Sequence, residues 1–164
     1  MKKMILVLLL MGSILCGCAP REYETVSDEF RIPDISAAAQ LRVDLPQDAA
    51  VDAISSAEED RLYLCDGYTL TLETFAAGDL DKTFLAITGF HREALSVVSQ
   101  MQQGSKRYDF VWTCAGEGGD QLCRGAILDD GNYHYAVTAM AREEQAGQVK
   151  ESWERIFSSI SLED

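Results

Sequence analysis

The chain has 164 residues and a formal charge of −13, with 27 acidic residues against 14 lysines and arginines. All the acidic residues lie beyond residue 18 but two of the lysines lie before it, so the part after residue 17 carries about −15. That balance excludes the basic stripes that nucleic-acid recognition needs and electrostatic docking on anionic lipid; about 147 residues suffice for one domain with its own core and not for two.

The chain opens MKKMILVLLLMGSILCGCAP: two lysines, an apolar run from Met4 to Leu15, then an abrupt change to polar, acidic sequence. This is the layout of an export signal. A spanning helix needs about 20 apolar residues, so the run is too short to be one. It ends in Leu15-Cys16-Gly17-Cys18, which resembles the bacterial lipobox: an aliphatic residue, a variable one, Gly or Ala, then cysteine. Only Cys18 fits, because Cys16 would have Leu15 where a small residue belongs. The resemblance implies a lipoprotein signal peptide over 1–17 and a diacylglyceryl thioether on Cys18, which becomes the N-terminus. It also implies a lipid anchor (diacylglycerol and palmitate) on the extracytoplasmic side of a bacterial cell membrane. Each buried methylene contributes about 0.8 kcal/mol, and two or more chains hold stably where one is marginal.

Residues 18–39 mix charges with two prolines and show no steady period, so they are expected to form the lipidated N-terminus and a flexible tether with a reach on the order of 25 Å. The folded unit is placed at 40–164. LRVDL alternates apolar and polar residues and reads as a first strand stopped by Pro46. Between Gln47 and Asp60, Ala50, Val51 and Ile54 suit one helical turn or two, or a loop. Arg61–Asp66 and Tyr68–Thr74 read as strands joined at Asp66-Gly67, a hairpin dipeptide. Asp79 is placed to cap a helix DLDKTFLAITGF that carries Leu80, Phe84 and Ile87 on one face and ends at Gly89.

Four strands are expected next: Leu95–Gln102, Lys106–Cys114, Leu122–Asp129 and Tyr133–Met140, with turns at Gln103-Gly104 and Asp130-Gly131 and a seven-residue connection AGEGGDQ between the middle pair. If Gly118-Gly119 is a two-residue turn, Cys114 faces Cys123, Trp112 faces Gly125 and Phe110 faces Ile127; the opposite face carries Val111, Ala126, Leu128, Tyr133, Tyr135 and Val137. Both faces are apolar, so helices on both sides are expected. The closing stretch REEQAGQVKESWERIFSSISL puts Val149, Trp153, Ile156, Phe157 and Ile160 on one helical face. The fold class is therefore α+β, an antiparallel β-sheet meander covered by helices on both faces. A meander ending in YHYAVTAMA, a short acidic joint and a closing helix VKESWERIFSSISL resembles the C-terminal half of PsbP-like domains, which implies an α/β/α sandwich and an accessory or binding role.

No nucleophile elbow, HExxH, P-loop, dinucleotide fingerprint or Cys-x-x-Cys is present in the sequence, so no catalytic, cofactor or metal residue is assigned and no cofactor is expected. A pair of Cys65 and His134 is the one nucleophile–base combination that strands could supply, and a structural sheet histidine is the plainer reading. DDGN, from Asp129, lacks the length and closing Glu of a calcium loop and reads as a turn. Export permits a disulfide, and Cys114 with Cys123 is the pair the turn register favours; buried free thiols are the alternative. The expected function is a non-enzymatic accessory or binding module of the cell envelope, held to the bilayer by Cys18. An envelope protein partner would be met by Glu117 and Asp120. The alternatives are a small extracytoplasmic hydrolase with a scattered site and a purely structural envelope protein.

Overall fold

A computed structural model describes residues 38–56, 60–116 and 118–163; Cys16, Cys18, the tether up to residue 37 and Glu117 lie outside them. Among the described residues nine strands and two α-helices follow in order: β1 (Gln40–Arg42), β2 (Ala50–Val51), β3 (Arg61–Cys65), β4 (Tyr68–Ala76), α1 (Leu80–Thr88), β5 (Ser96–Gln102), β6 (Ser105–Gly116), β7 (Gly119–Asp129), β8 (Tyr133–Arg142), α2 (Ala146–Ser159) and β9 (Ser161–Glu163). Short 3-10 turns stand before β5 and α2. The main sheet has seven antiparallel strands in the order β2-β3-β4-β8-β7-β6-β5, while β1 and β9 form a separate ribbon.

The chain is thus α+β, as its strand and helix patterns predict, and the reasons are local. Asp66-Gly67 and Gln103-Gly104 close hairpins with positive φ at both glycines. Asp79 caps α1 by accepting from the Asp81 N–H, and Gly89 ends the helix in the left-handed conformation at φ 76°. At the β7–β8 turn Asp130 accepts from Asn132 N at 2.8 Å and Tyr133 N at 2.7 Å. Burial pushes that carboxyl up, but these bonds and one from Tyr135 outweigh it and hold it low.

Alternation along the strands separates two apolar clusters. One gathers Tyr63, Leu70, Leu128, Tyr135 and Val137 beneath Val149, Trp153, Ile156 and Phe157 of α2. The other gathers Tyr108, Phe110, Trp112, Cys123 and Ile127 around Phe84 of α1. Phe110, Trp112, Cys123 and Ile127 on one side and Ala126, Leu128, Tyr135 and Val137 on the other were legible as faces of the meander, whereas Val111, expected with the second set, is 52% exposed; Leu80 and Ile87 flank Phe84 as expected.

Five local expectations are corrected. The β6–β7 register lies two residues from the expected one: Trp112 faces Cys123, Phe110 faces Gly125, Tyr108 faces Ile127, and Cys114 faces Gln121. The strands run on until Gly116 faces Gly119, so the supposed seven-residue connection shrinks to Glu117 and Gly118, and Asp120 is a strand residue. The physical reason is Gly125. A Cβ there would collide with the Phe110 ring, so the register sets the glycine opposite the phenylalanine. A shift of two preserves the parity of the faces, and both clusters survive it.

Between Gln47 and Asp60 there is no helix among the described residues; Ala50 and Val51 pair with Leu64 and Tyr63 as an added edge strand. The first strand is shorter than LRVDL and stops at Arg42. It pairs with Ser161–Glu163, the end of what reads in sequence as a helical tail. Ile160, 1% exposed, breaks the helix by adopting φ −57°, ψ 125°, and the chain then returns along β1. Ala38 and Ala39 already pack on the α2-side cluster, and the Ala39 N–H donates to the Tyr135 hydroxyl at 2.9 Å.

Candidate functional site

The sequence-derived candidates come first. Asp120 is exposed at the start of β7, opposite Ala115. Beside it the hairpin tip is held open by Gly118 at φ 95° and Gly119 at φ 127°, a backbone that side chains rarely adopt. From this tip a strip of the α2-side sheet face runs uncovered along β6 through Ala115, Thr113 and Val111, which is 52% exposed, to Val98 on β5, 67% exposed. Helix α2 covers β8 and its neighbours and stops short of this strip.

Cys114 and Cys123 share the α1-side face as diagonal neighbours with sulfurs 3.5 Å apart, and both are free thiols. Burial, followed by the neighbouring thiol, pushes Cys123 up to about 12. Cys65 and His134 are not brought together: Cys65 faces Tyr68 at one end of β4 and His134 faces Phe75 near the other, about 24 Å along the strand. His134 instead shares a 2.8 Å hydrogen bond between Nδ1 and Thr83 Oγ1 of α1, with Asp129 3.9 Å from Nε2. The order Thr83, His134, Asp129 imitates a catalytic relay. Yet Thr83 is 7% and His134 2% exposed, so their bond fastens α1 to β8 in the interior, and only Asp129 reaches solvent. No cluster of three metal-ligating side chains occurs among the described residues, and DDGN forms a turn.

Two grooves are shaped by the fold. A cavity of about 570 Å³ beside the start of α1 is lined by Asp79, Asp81, Arg92, Glu93 and apolar neighbours. Two of its carboxylates are spent internally: Asp79 caps α1, and Asp81 receives the Arg92 N–H at 2.7 Å and pairs with His91 at 2.6 Å.

The second groove, about 410 Å³, lies between β5, β6, β7 and the C-terminal half of α2. Its floor is an arginine that sequence inspection passes over. Arg107 is 6% exposed and bonded through four of its five N–H groups: Nε and Nη2 grip both oxygens of Asp109 at 2.8 and 2.7 Å, Nη1 donates to Gln102 at 3.0 Å, and Nη2 also donates to the Phe157 carbonyl at 2.7 Å. This bidentate geometry is the strong form of the pair. Arg124, one strand over, is half-buried with its guanidinium 4.3 Å from the centre of the Phe157 ring. Burial pushes its pKa down, opposed in part by Asp109. The only sequence sign of this site is the alternation Arg107-x-Asp109, which resembles any solvated strand until α2 is laid over it.

A seven-stranded antiparallel sheet with α1 and α2 in separate clusters defines the class of the protein: an α+β fold of PsbP-like type. No family model matches the chain, and no curated protein matches it in sequence. Solved structures share the fold. Cyanobacterial PsbP (CyanoP) from Synechocystis sp. PCC 6803 matches at TM-score 0.54 and 11% identity over 79% of this chain and 96% of its own. A Bacteroides thetaiotaomicron protein matches at 0.52 and 14% over 76% of this chain and 45% of its own. The Saccharomyces cerevisiae Ran-binding protein Mog1p matches at 0.50 and 9% over 80% and 94%. At such identities the likeness is one of fold.

Proposed function

We propose that this chain is a lipid-anchored protein of the bacterial cell envelope whose folded unit is an accessory or binding module with no catalytic activity. One observation carries the anchoring: Leu15-Cys16-Gly17-Cys18 closes an apolar run that follows two lysines. Cys18 then takes the diacylglyceryl thioether and becomes the mature N-terminus, and the acyl chains hold the protein to the bilayer. No described helix is long and apolar enough to cross a membrane.

The binding role is supported by the strip of sheet face that stays uncovered along Ala115, Thr113, Val111 and Val98. The partner is an envelope protein presenting a basic group to Glu117 and Asp120 at the hairpin tip. A chain of net charge −13 attracts such a group from a distance and repels its own copies.

Fractionation of cells expressing Cys18→Ala and Cys16→Ala tests the anchor: Cys18→Ala is released from the membrane fraction and Cys16→Ala is retained. Release of Cys16→Ala with retention of Cys18→Ala overturns the assignment. The partner is tested by replacing Glu117 and Asp120 together with Ala. The proteins co-purifying from host envelope change while the thermal midpoint does not; an identical set reduces the tip to a spacer.

A further inference from the structure

We propose that the groove between β5, β6, β7 and α2 is a binding site for a carboxylate, with Arg124 as its anchor. The two arginines of the groove are used differently. Arg107 uses its guanidinium on four acceptors within the domain. Arg124 makes no hydrogen bond with any described residue, yet it is half-buried and held flat by stacking on Phe157. A guanidinium offers five N–H donors in a rigid fork. Stacking holds that fork in one orientation while its N–H groups stay reachable from the groove, so its donors are preorganised for a ligand.

The neighbouring carboxylates do not fill the role. Both oxygens of Asp109 are bonded by Arg107, and Glu154 on α2 lies 3.9 Å from Lys150. Two arginines against Asp109 and Glu154 make the groove neutral in a strongly acidic chain, so it is a local minimum of negative potential. That balance favours a monoanion. A dianionic phosphate would meet Asp109 and Glu154 with twice the repulsion, whereas a planar carboxylate matches the fork with two parallel hydrogen bonds. Gln100 on β5 lines the same groove and supplies an amide for the rest of the ligand. The carboxylate belongs either to a small organic acid or to the C-terminus of an extended peptide.

The test uses the full-length chain in detergent micelles, labelled with ¹⁵N-arginine, and follows the Arg124 Nε–Hε resonance. N-acetylalanine, acetyl-trialanine and its C-terminal amide are titrated at constant ionic strength, with sodium chloride and inorganic phosphate as separate arms. Saturable shifts with both acids and none with the amide support the site. Binding of the tripeptide about tenfold tighter than N-acetylalanine assigns a peptide C-terminus, and equal affinity assigns a small acid. The Arg107 Nε–Hε resonance, on the same groove, is followed in parallel and is the readout in the variants: Arg124→Lys keeps the charge without the fork and weakens binding about tenfold, and Arg124→Gln removes saturation at an unchanged thermal midpoint. The proposal is overturned by shifts no larger than those from chloride, by tighter binding of phosphate, or by an amide that binds as well as the acid. Membrane retention through Cys18 and partner capture at Glu117 and Asp120 are read separately, so their failure and this one are distinguishable.

Discussion

Trp153→Ala tests the packing on which the α2 side rests. Trp153 is 5% exposed and meets the Tyr68 ring edge-on at 6.3 Å between centroids, inside a cluster that includes Val149, Ile156 and Phe157. An indole buries roughly 150–250 Å², which at about 25 cal/mol per Å² amounts to about 4–6 kcal/mol of transfer free energy. Its Nε1 has no hydrogen-bond partner, and an unpaired buried donor gives back about 1–3 kcal/mol. The alanine variant is therefore expected to lose about 3 kcal/mol, at the lower end of aromatic truncations. With a urea slope near 1.5 kcal/mol/M, the midpoint falls by about 2 M. Trp153→Phe keeps most of the apolar volume and removes the orphaned N–H, so its cost is expected to stay under about 1.5 kcal/mol. Chemical denaturation followed by circular dichroism measures both. An unchanged midpoint for Trp153→Ala, or equal losses for the two variants, would refute the packing and the bookkeeping of Nε1 respectively.

Gly125→Ala is expected to lower stability by about 2 kcal/mol because its Cβ collides with the Phe110 ring, and Phe110→Leu in the same chain should recover part of the loss; additive losses by thermal melting would refute the contact. Burial pushes His134 below the ordinary imidazole value of 6.5, with Asp129 and Asp130 opposing. The unfolded chain thus takes a proton that the folded one refuses: the contribution is intact above pH 6.5 and is lost as pH falls below it. The thermal midpoint should decline between pH 7 and 5, and His134→Gln should flatten that decline; an identical slope in the variant would sink the assignment. Arg107→Met strands Asp109 and the Phe157 carbonyl and is expected to cost about 3 kcal/mol. Adding Asp109→Leu should recover some of it in a double-mutant cycle, and a still lower midpoint would show that the two do not act as a pair.

What the sequence by itself determined is whatever depends on neighbours along the chain. Asp66-Gly67, Asp130-Gly131, Asp79 with Gly89, and the alternation of Tyr108, Phe110 and Trp112 against Ala126 and Leu128 mark turns, a capped helix and the two faces of the meander. The resemblance of Leu15-Cys16-Gly17-Cys18 to a lipobox is likewise a property of the linear chain alone. Tertiary structure decided the rest, where the energy comes from partners distant in sequence. The β6–β7 register turns on one glycine beneath one ring, and local turn rules are blind to that contact. Ala50-Val51 is a strand only because β3 offers it an edge, and Ser161–Glu163 leaves the helix only because β1 lies 121 residues away in sequence at the Arg42–Glu163 bond. The Arg107–Arg124 groove exists for the same reason. Two arginines on adjacent strands are unremarkable in sequence, and it is α2, arriving from the far end of the chain with Phe157, that buries one and stacks the other.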